Sequence, residues 1–130
     1  MKRIKFFSFI IHPMKYIDKI LKMGGERVRF IVLYGSVAKR TNRQDSDVDL
    51  CVYYDGSARE RFSFRKKVLG SLPSNYDVQI FQDLPIYVKI NVIKGKLIYG
   101  DYDYFFKIAR ETIREWEDSK HRYAILFGVK

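Results

Sequence analysis

The chain has 130 residues, 47% of them hydrophobic, and its 25 Lys and Arg against 15 Asp and Glu give a formal net charge of +10. That length supplies one globular core but not several modules, so a single domain over residues 1–130 is expected. The single cysteine, Cys51, excludes an internal disulfide framework, and no stretch approaches the roughly 18 apolar residues that span a bilayer.

The excess of cations suits polyanions such as nucleotides, nucleic acid or an acidic protein partner, but it is unevenly placed. Residues 1–30 hold eight basic and two acidic residues, whereas residues 31–60 hold four basic and five acidic ones. At the N-terminus, MKRIKFFSFII has a basic start, yet its apolar stretch is shorter than a signal-peptide core and no small-residue cleavage site follows. The expected location is the cytoplasm, with no membrane association.

Pro13, Met14, Ile17, Ile20 and Leu21, with Lys15, Asp18, Lys19 and Lys22 between them, predict an amphipathic helix closed by Gly24-Gly25. Val28 to Tyr34 is almost continuously apolar and β-branched or aromatic, which predicts a buried central strand ending at Gly35. Ser36 to Lys39 can then begin a short helix. From Asp47 the pattern alternates, with Val48, Leu50 and Val52 facing one way and Asp47, Asp49 and Cys51 the other, predicting a second strand.

Ser57 with Glu60 forms a capping box for a helix whose apolar side is read as Phe62, Val68, Leu69 and Leu72, ending near Pro73. A third strand, Tyr76 to Phe81, points Tyr76, Val78 and Ile80 inward and Asp77 and Gln79 to the opposite face. A short helix follows from Asp83-Pro85 to about Ile93, then a small edge strand from Lys96 to Tyr99. The last helix starts at Asp101 with Tyr102, Phe105, Ala109, Ile113 and Trp116 as its stripe, and the surplus of aromatic residues at 102–106 and 123–127 is a candidate partner surface. The expected class is α/β, in detail α+β: a small mixed β-sheet packed with helices.

Chemistry concentrates in LYGSVAKRTNRQDSDVDL, residues 33–50. Asp47 and Asp49, two apart on a strand, project to one side roughly 6 to 7 Å apart. Two such carboxylates repel each other unless a cation lies between them. Mg²⁺ meets that need, because it takes carboxylate oxygens together with substrate phosphates, and two such ions can clamp a phosphoryl displacement. Gly35 lets the backbone approach a phosphate, while the Ser36 hydroxyl and neighbouring amides donate to it. Asp77, on a later strand and facing away from the apolar layer, is the candidate third carboxylate, able to hold a metal and accept a proton from an attacking hydroxyl.

Asp45 reads as a loop or capping residue. His12 and His121 have no Cys or carboxylate cluster near them and do not make a zinc site. GSVAKRT lacks the second glycine and the Gly-Lys of a P-loop, and no G-x-G-x-x-G follows a strand.

The run GSVAKRTNRQDSDVDL resembles the signature of the DNA polymerase β nucleotidyltransferase superfamily: a strand, Gly-Ser, a loop, Ser-Asp-x-Asp-Leu and a third Asp on a later strand. The short chain is similar to the minimal nucleotidyltransferases, and the likeness covers about residues 28 to 82. It implies a nucleotidyltransferase fold in which Gly35 and Ser36 bind the triphosphate, Asp47 and Asp49 hold two Mg²⁺ ions, and Asp77 serves a metal and the attacking hydroxyl. The reaction implied is transfer of a nucleoside monophosphate, AMP from ATP, to a hydroxyl.

Where such proteins often read Ala-Arg-Gly, this chain has Ala38-Lys39-Arg40, so a glycine is replaced and the loop is altered. Lys39, Arg40 and Arg43 are candidate phosphate contacts there. Similar proteins often act as antitoxins that silence a helical HEPN ribonuclease toxin by adding AMP to a tyrosine, which implies a HEPN-type partner and a homo- or hetero-oligomer. The alternative is a catalytically weak nucleotide-binding or toxin-masking module. Transfer to an aminoglycoside or to RNA is a third reading, with RNA contact kept open by the +10 charge.

Overall fold

Five short strands and four helices carry the fold in a computed structural model that describes residues 4–5, 16–35 and 47–127. The strands are β1 (Ile4–Lys5), β2 (Val28–Tyr34), β3 (Val48–Tyr54), β4 (Tyr76–Ile80) and β5 (Lys96–Gly100), in the order β1-β5-β2-β3-β4. The helices are α1 (Ile17–Gly24), α2 (Ala58–Leu69), α3 (Ile86–Ile93) and α4 (Tyr102–Phe127). Strand β2 runs antiparallel to both β3 and β5, while β3 and β4 are parallel. A parallel pair needs a crossover, and α2 supplies it.

The sheet is mixed and covered on both faces. Ile31 and Leu33 of β2, Leu50 and Val52 of β3, and Val78 and Ile80 of β4 pack under Ile17 and Ile20 of α1 and Phe64 and Val68 of α2. On the other face Phe30, Val32, Cys51 and Leu97 pack under Val92 of α3 and Phe105 and Ile108 of α4. Coverage on both sides explains why β2 is apolar at nearly every position instead of alternating. A bulge between Val28 and Phe30 shifts the register against β3, which lets Val28 join the α1/α2 side at an odd spacing from Ile31.

Helix α2 begins as its sequence requires. Ser57 Oγ accepts from the Glu60 amide at 3.2 Å, and Glu60 Oε1 accepts from the Ser57 amide at 2.8 Å. Its buried stripe is Phe64 and Val68, one turn apart, and Phe64 stacks on Tyr54 with ring centroids 4.1 Å apart. Phe62, expected on the apolar side, is 67% exposed. Two residues on a helix are about 200° apart, so only one of these phenylalanines can face the sheet.

Other expectations shift in smaller ways. Pro13, Met14 and the short helix expected from Ser36 lie outside the described residues. Strand β5 lies between β1 and β2 and is not an edge among the described residues. In α4 the buried positions are Phe105, Ile108, Thr112 and Ser119, leaving Tyr102, Phe106 and Ile113 at 37%, 50% and 47% exposure. The apolar arc of α4 is wider than the sheet can cover. No helix among the described residues is long and apolar enough to cross a membrane.

Truncating Phe64 to Ala is expected to cost about 3–5 kcal/mol, as for a buried aromatic residue losing its whole ring. Phe62→Ala should stay within about 0.5 kcal/mol of the parent. Urea denaturation of the two variants separates the outcomes.

Candidate active site

At the end of β2 the chain turns sharply, and Gly35 takes φ +79. A side chain there would be strained by its backbone, and a Cβ would also collide with Asp49 Oδ2. The turn therefore calls for glycine, and a Cβ there would also displace the carboxylate that lies against the main chain.

Tyr34, Asp49 and Asp77 stand side by side across three strands. Asp49 is paired with Tyr34 across the antiparallel β2–β3 ladder and with Asp77 across the parallel β3–β4 ladder. All three share the face that carries Cys51 and is covered further along by α3 and α4. They come just past the covered residues Val32 and Cys51, so the carboxylates emerge where the core ends.

Asp77 is held from both oxygens. Gln79 Nε2 donates to Oδ2 at 3.0 Å, and the Arg65 guanidinium lies 3.8 Å from Oδ1 while its Nε donates to the Val78 carbonyl at 2.7 Å. Among the described residues Asp49 has no comparable cation. Burial, then the charges of Asp77 and Asp47, hold its carboxyl above the ordinary carboxylate range. Tyr34 is pushed up by burial first, then by Cys51, Asp49 and Asp77, so its hydroxyl stays protonated. Burial likewise raises the Cys51 thiol, which makes it a packing residue and not a nucleophile.

Of the residues singled out in the sequence, the structure brings together Gly35, Asp49 and Asp77. Asp47 is exposed at the position before β3, outside the strand pleat, so the two-residue alternation does not fix its direction. It is close enough to act on Asp49 electrostatically. Among the described residues no group of three His, Cys, Asp or Glu side chains forms a ready-made metal cage. Ser36, Lys39, Arg40, Arg43 and Asp45 lie outside the described residues.

The donor set nevertheless fits a hard divalent cation. It is all oxygen and doubly negative across one strand pair, and among the described residues no cation pairs with Asp49. Mg²⁺ binds through one or two carboxylates and completes its shell with water and substrate phosphates, so a closed protein cage is not required.

Two contributors were not singled out in the sequence. Gln79 shares a face with Asp77 by simple alternation, a signal that was present but carried no role. Arg65 reaches Asp77 only because α2 crosses over β4, which no local pattern announces. Flanking the turn on the β5 side is a cavity of about 460 Å³ lined by Tyr34, Gly35, Val88, Asn91, Lys94, Gly95 and Lys96.

A mixed sheet that ends in paired carboxylates beside a glycine turn is the architecture of a nucleotidyltransferase. The family model described as Polymerase beta, Nucleotidyltransferase matches residues 15–103. A Methanocaldococcus jannaschii protein to which protein adenylyltransferase activity is ascribed is 36% identical over 97 residues, 71% of this chain and 72% of that protein. The chain belongs to the polymerase β nucleotidyltransferase family.

Solved structures agree on the fold. A chain of a toxin–antitoxin complex with AMP-PNP superposes with a TM-score of 0.70 at 24% identity, covering 88% of this chain and 96% of that one. A chain of the complex between an MNT antitoxin and a tri-AMPylated Shewanella oneidensis HEPN toxin superposes with a TM-score of 0.65 at 22% identity, covering 88% and 93%.

Because Asp49 is raised in the folded state, its ionisation opposes folding. The stability tied to its neutral form is present below the unfolded carboxylate pKa and is lost as pH rises through the higher folded value. Asp49→Asn should flatten that part of the pH–Tm curve and raise Tm near neutrality. Adding Mg²⁺ should raise the Tm of the parent more than that of the variant. Thermal melts from pH 4 to 8, with and without the ion, test both.

Proposed function

We propose that this protein is a Mg²⁺-dependent nucleotidyltransferase that moves AMP from ATP to a tyrosine hydroxyl of a HEPN-type toxin partner and thereby acts as an antitoxin. The observation that carries the reading is the register of Asp49 against Asp77 beside the positive-φ turn at Gly35. Family membership supports the reaction class, and the M. jannaschii relative supports a protein acceptor. The antitoxin complexes with AMP-PNP and with an AMPylated HEPN toxin, which share the fold, support the choice of ATP and of partner. The buried, unpaired Cys51 fits a reducing cytoplasm.

In this mechanism the acceptor hydroxyl approaches from the Asp77 side. Its oxygen attacks the α-phosphorus, its proton passes to Asp77, and the bond from the α-phosphorus to the bridging oxygen breaks to release pyrophosphate. Gln79 and Arg65 keep the Asp77 carboxylate aimed. Asp47, Asp49 and Asp77 would hold the Mg²⁺ ions, which neutralise phosphate charge and orient the reacting oxygens when bound. Gly35, with Ser36, would seat the triphosphate on main-chain amides, and Lys39 and Arg40 would add charge to the same loop. Partner docking falls to the exposed side of α4, where Tyr102, Phe106 and Ile113 recur on one stripe and Tyr102 stacks on Phe106.

The test incubates the protein with α-labelled ATP, Mg²⁺ and the protein encoded beside it. Label should transfer to a tyrosine, and Asp77→Asn should slow the transfer roughly 10²–10⁴-fold, the contribution of a positioned general base. Tight partner binding with no transfer by the parent would replace this reading with that of a masking module.

A further inference from the structure

Helix α2 carries charge out of proportion to its packing. It has five basic residues and one acidic one, whereas the much longer α4 has five of each. Two of the five are committed, Arg61 to Asp83, and Arg65 to Asp77 and the Val78 carbonyl. Arg59, Lys66 and Lys67 are exposed and form no ion pair among the described residues. Helical geometry places them on one arc with Phe62 and Ser63, turned away from the buried Phe64 and Val68. A single exposed phenylalanine is ordinary, but Phe62 lies three residues from Arg59 and four from Lys66, so its ring stands among cations.

Beside that arc, the end of α1 and the start of β2 close a cleft of about 290 Å³ against α2, with Arg27, Tyr54, Arg59, Ser63 and Lys67 in its wall. The acid in the wall, Glu60, is engaged. Its carboxylate holds Arg27 at 3.0 Å and accepts from the Ser57 amide at 2.8 Å. The charge left over is positive, and its complement is an anion. This cleft stands apart from the transferase site. Strand β2 runs from Val28, next to Arg27, to Tyr34, next to Gly35, and its length puts roughly 20 Å between the two ends.

We infer that the cleft and the outer arc of α2 bind single-stranded nucleic acid, with backbone phosphates on Arg59, Lys66 and Lys67 and a base stacked on Phe62. Phosphate contacts supply affinity whatever the sequence, and every base has a face to stack on an exposed ring. An acidic peptide would use the cations and leave the ring idle. A duplex keeps its bases stacked on one another, away from Phe62. The assignment does not depend on the transfer reaction.

Fluorescence anisotropy of the full chain with a labelled single-stranded RNA of about 12 nucleotides, read across a salt series, tests it. The triple variant Arg59→Ala/Lys66→Ala/Lys67→Ala should bind at least about tenfold more weakly at low salt. Its slope of log affinity against log salt should be shallower by about two, three phosphates at roughly 0.7 each. Phe62→Ala should weaken binding about fivefold or more with the slope unchanged. Arg110→Ala/Arg114→Ala, which removes two exposed cations from α4, and saturating Mg²⁺-ATP should each leave the affinity within about twofold. Tm and circular dichroism matching the parent exclude misfolding. The assignment is overturned if the parent does not bind, if duplex RNA binds as tightly, or if Phe62→Ala behaves as the parent. Displacement by ATP, or an equal loss in the α4 variant, would overturn it as well.

Discussion

Two carboxylates held in register on adjacent parallel strands are unfavourable, and the design of the domain follows from tolerating them. Like charges directly opposite each other weaken a sheet, and partial burial of Asp49 adds to the cost by raising its carboxyl. Arg65 does not relieve this. It approaches Asp77 from the outer side and gives its shortest hydrogen bond to the Val78 carbonyl. The negative charge at Asp49 therefore stays available to a cation from outside, and the strain is borne by a frame stable enough to carry it.

That frame is the two-sided core. Residues up to Val32 and Cys51 are sealed beneath α3 and α4, and the next same-face positions, Tyr34 and Asp49, belong to the site. Tyr34 and Asp49 thus sit one pleat away from fully packed residues, which limits their motion without a dedicated loop. The α2 crossover serves both ends of the argument. Its buried stripe closes the opposite face, Arg65 steadies Asp77, and Arg61 ties the helix to Asp83 just after β4 with contacts of 2.8 to 3.3 Å. Gln82 extends the β3–β4 pairing by bonding the Tyr54 main chain after β4 has turned away.

Much of this was legible in the sequence because period-two alternation is strictly local. The facing of Val48, Leu50 and Val52 against Asp49 and Cys51, and of Tyr76, Val78 and Ile80 against Asp77, follows from the pleat alone, and so does the Ser57–Glu60 box. The errors arise where orientation depends on what lies opposite. Phe62 and Phe64 are equally apolar, and only the docking of α2 on Tyr54 selects the second. In α4 the stripe through Tyr102, Phe105, Ala109, Ile113 and Trp116 is a genuine helical periodicity and Phe105 is buried, but burial continues through Ile108 and Thr112 and leaves Tyr102 and Ile113 exposed. Asp47 lies one residue before the strand begins, so the alternation alone does not fix its direction. Arg65 is invisible to local pattern because only the crossing of α2 brings it to Asp77.

The overall charge of +10 gains meaning beside this acidic pair. A nucleotide drawn toward the protein by its general field meets repulsion at Asp49 and Asp77 over the last few ångströms, well inside the roughly 8 Å over which physiological salt screens charge. For the proposed transfer, the polyphosphate is accepted most easily when it arrives as its Mg²⁺ complex, with the cation facing the carboxylates. An acidic pair at one end of the site then orients a molecule that is itself polar along its length. A site of uniform positive charge would bind ATP without fixing its direction, and that need for direction is what makes the costly pairing of Asp49 with Asp77 useful.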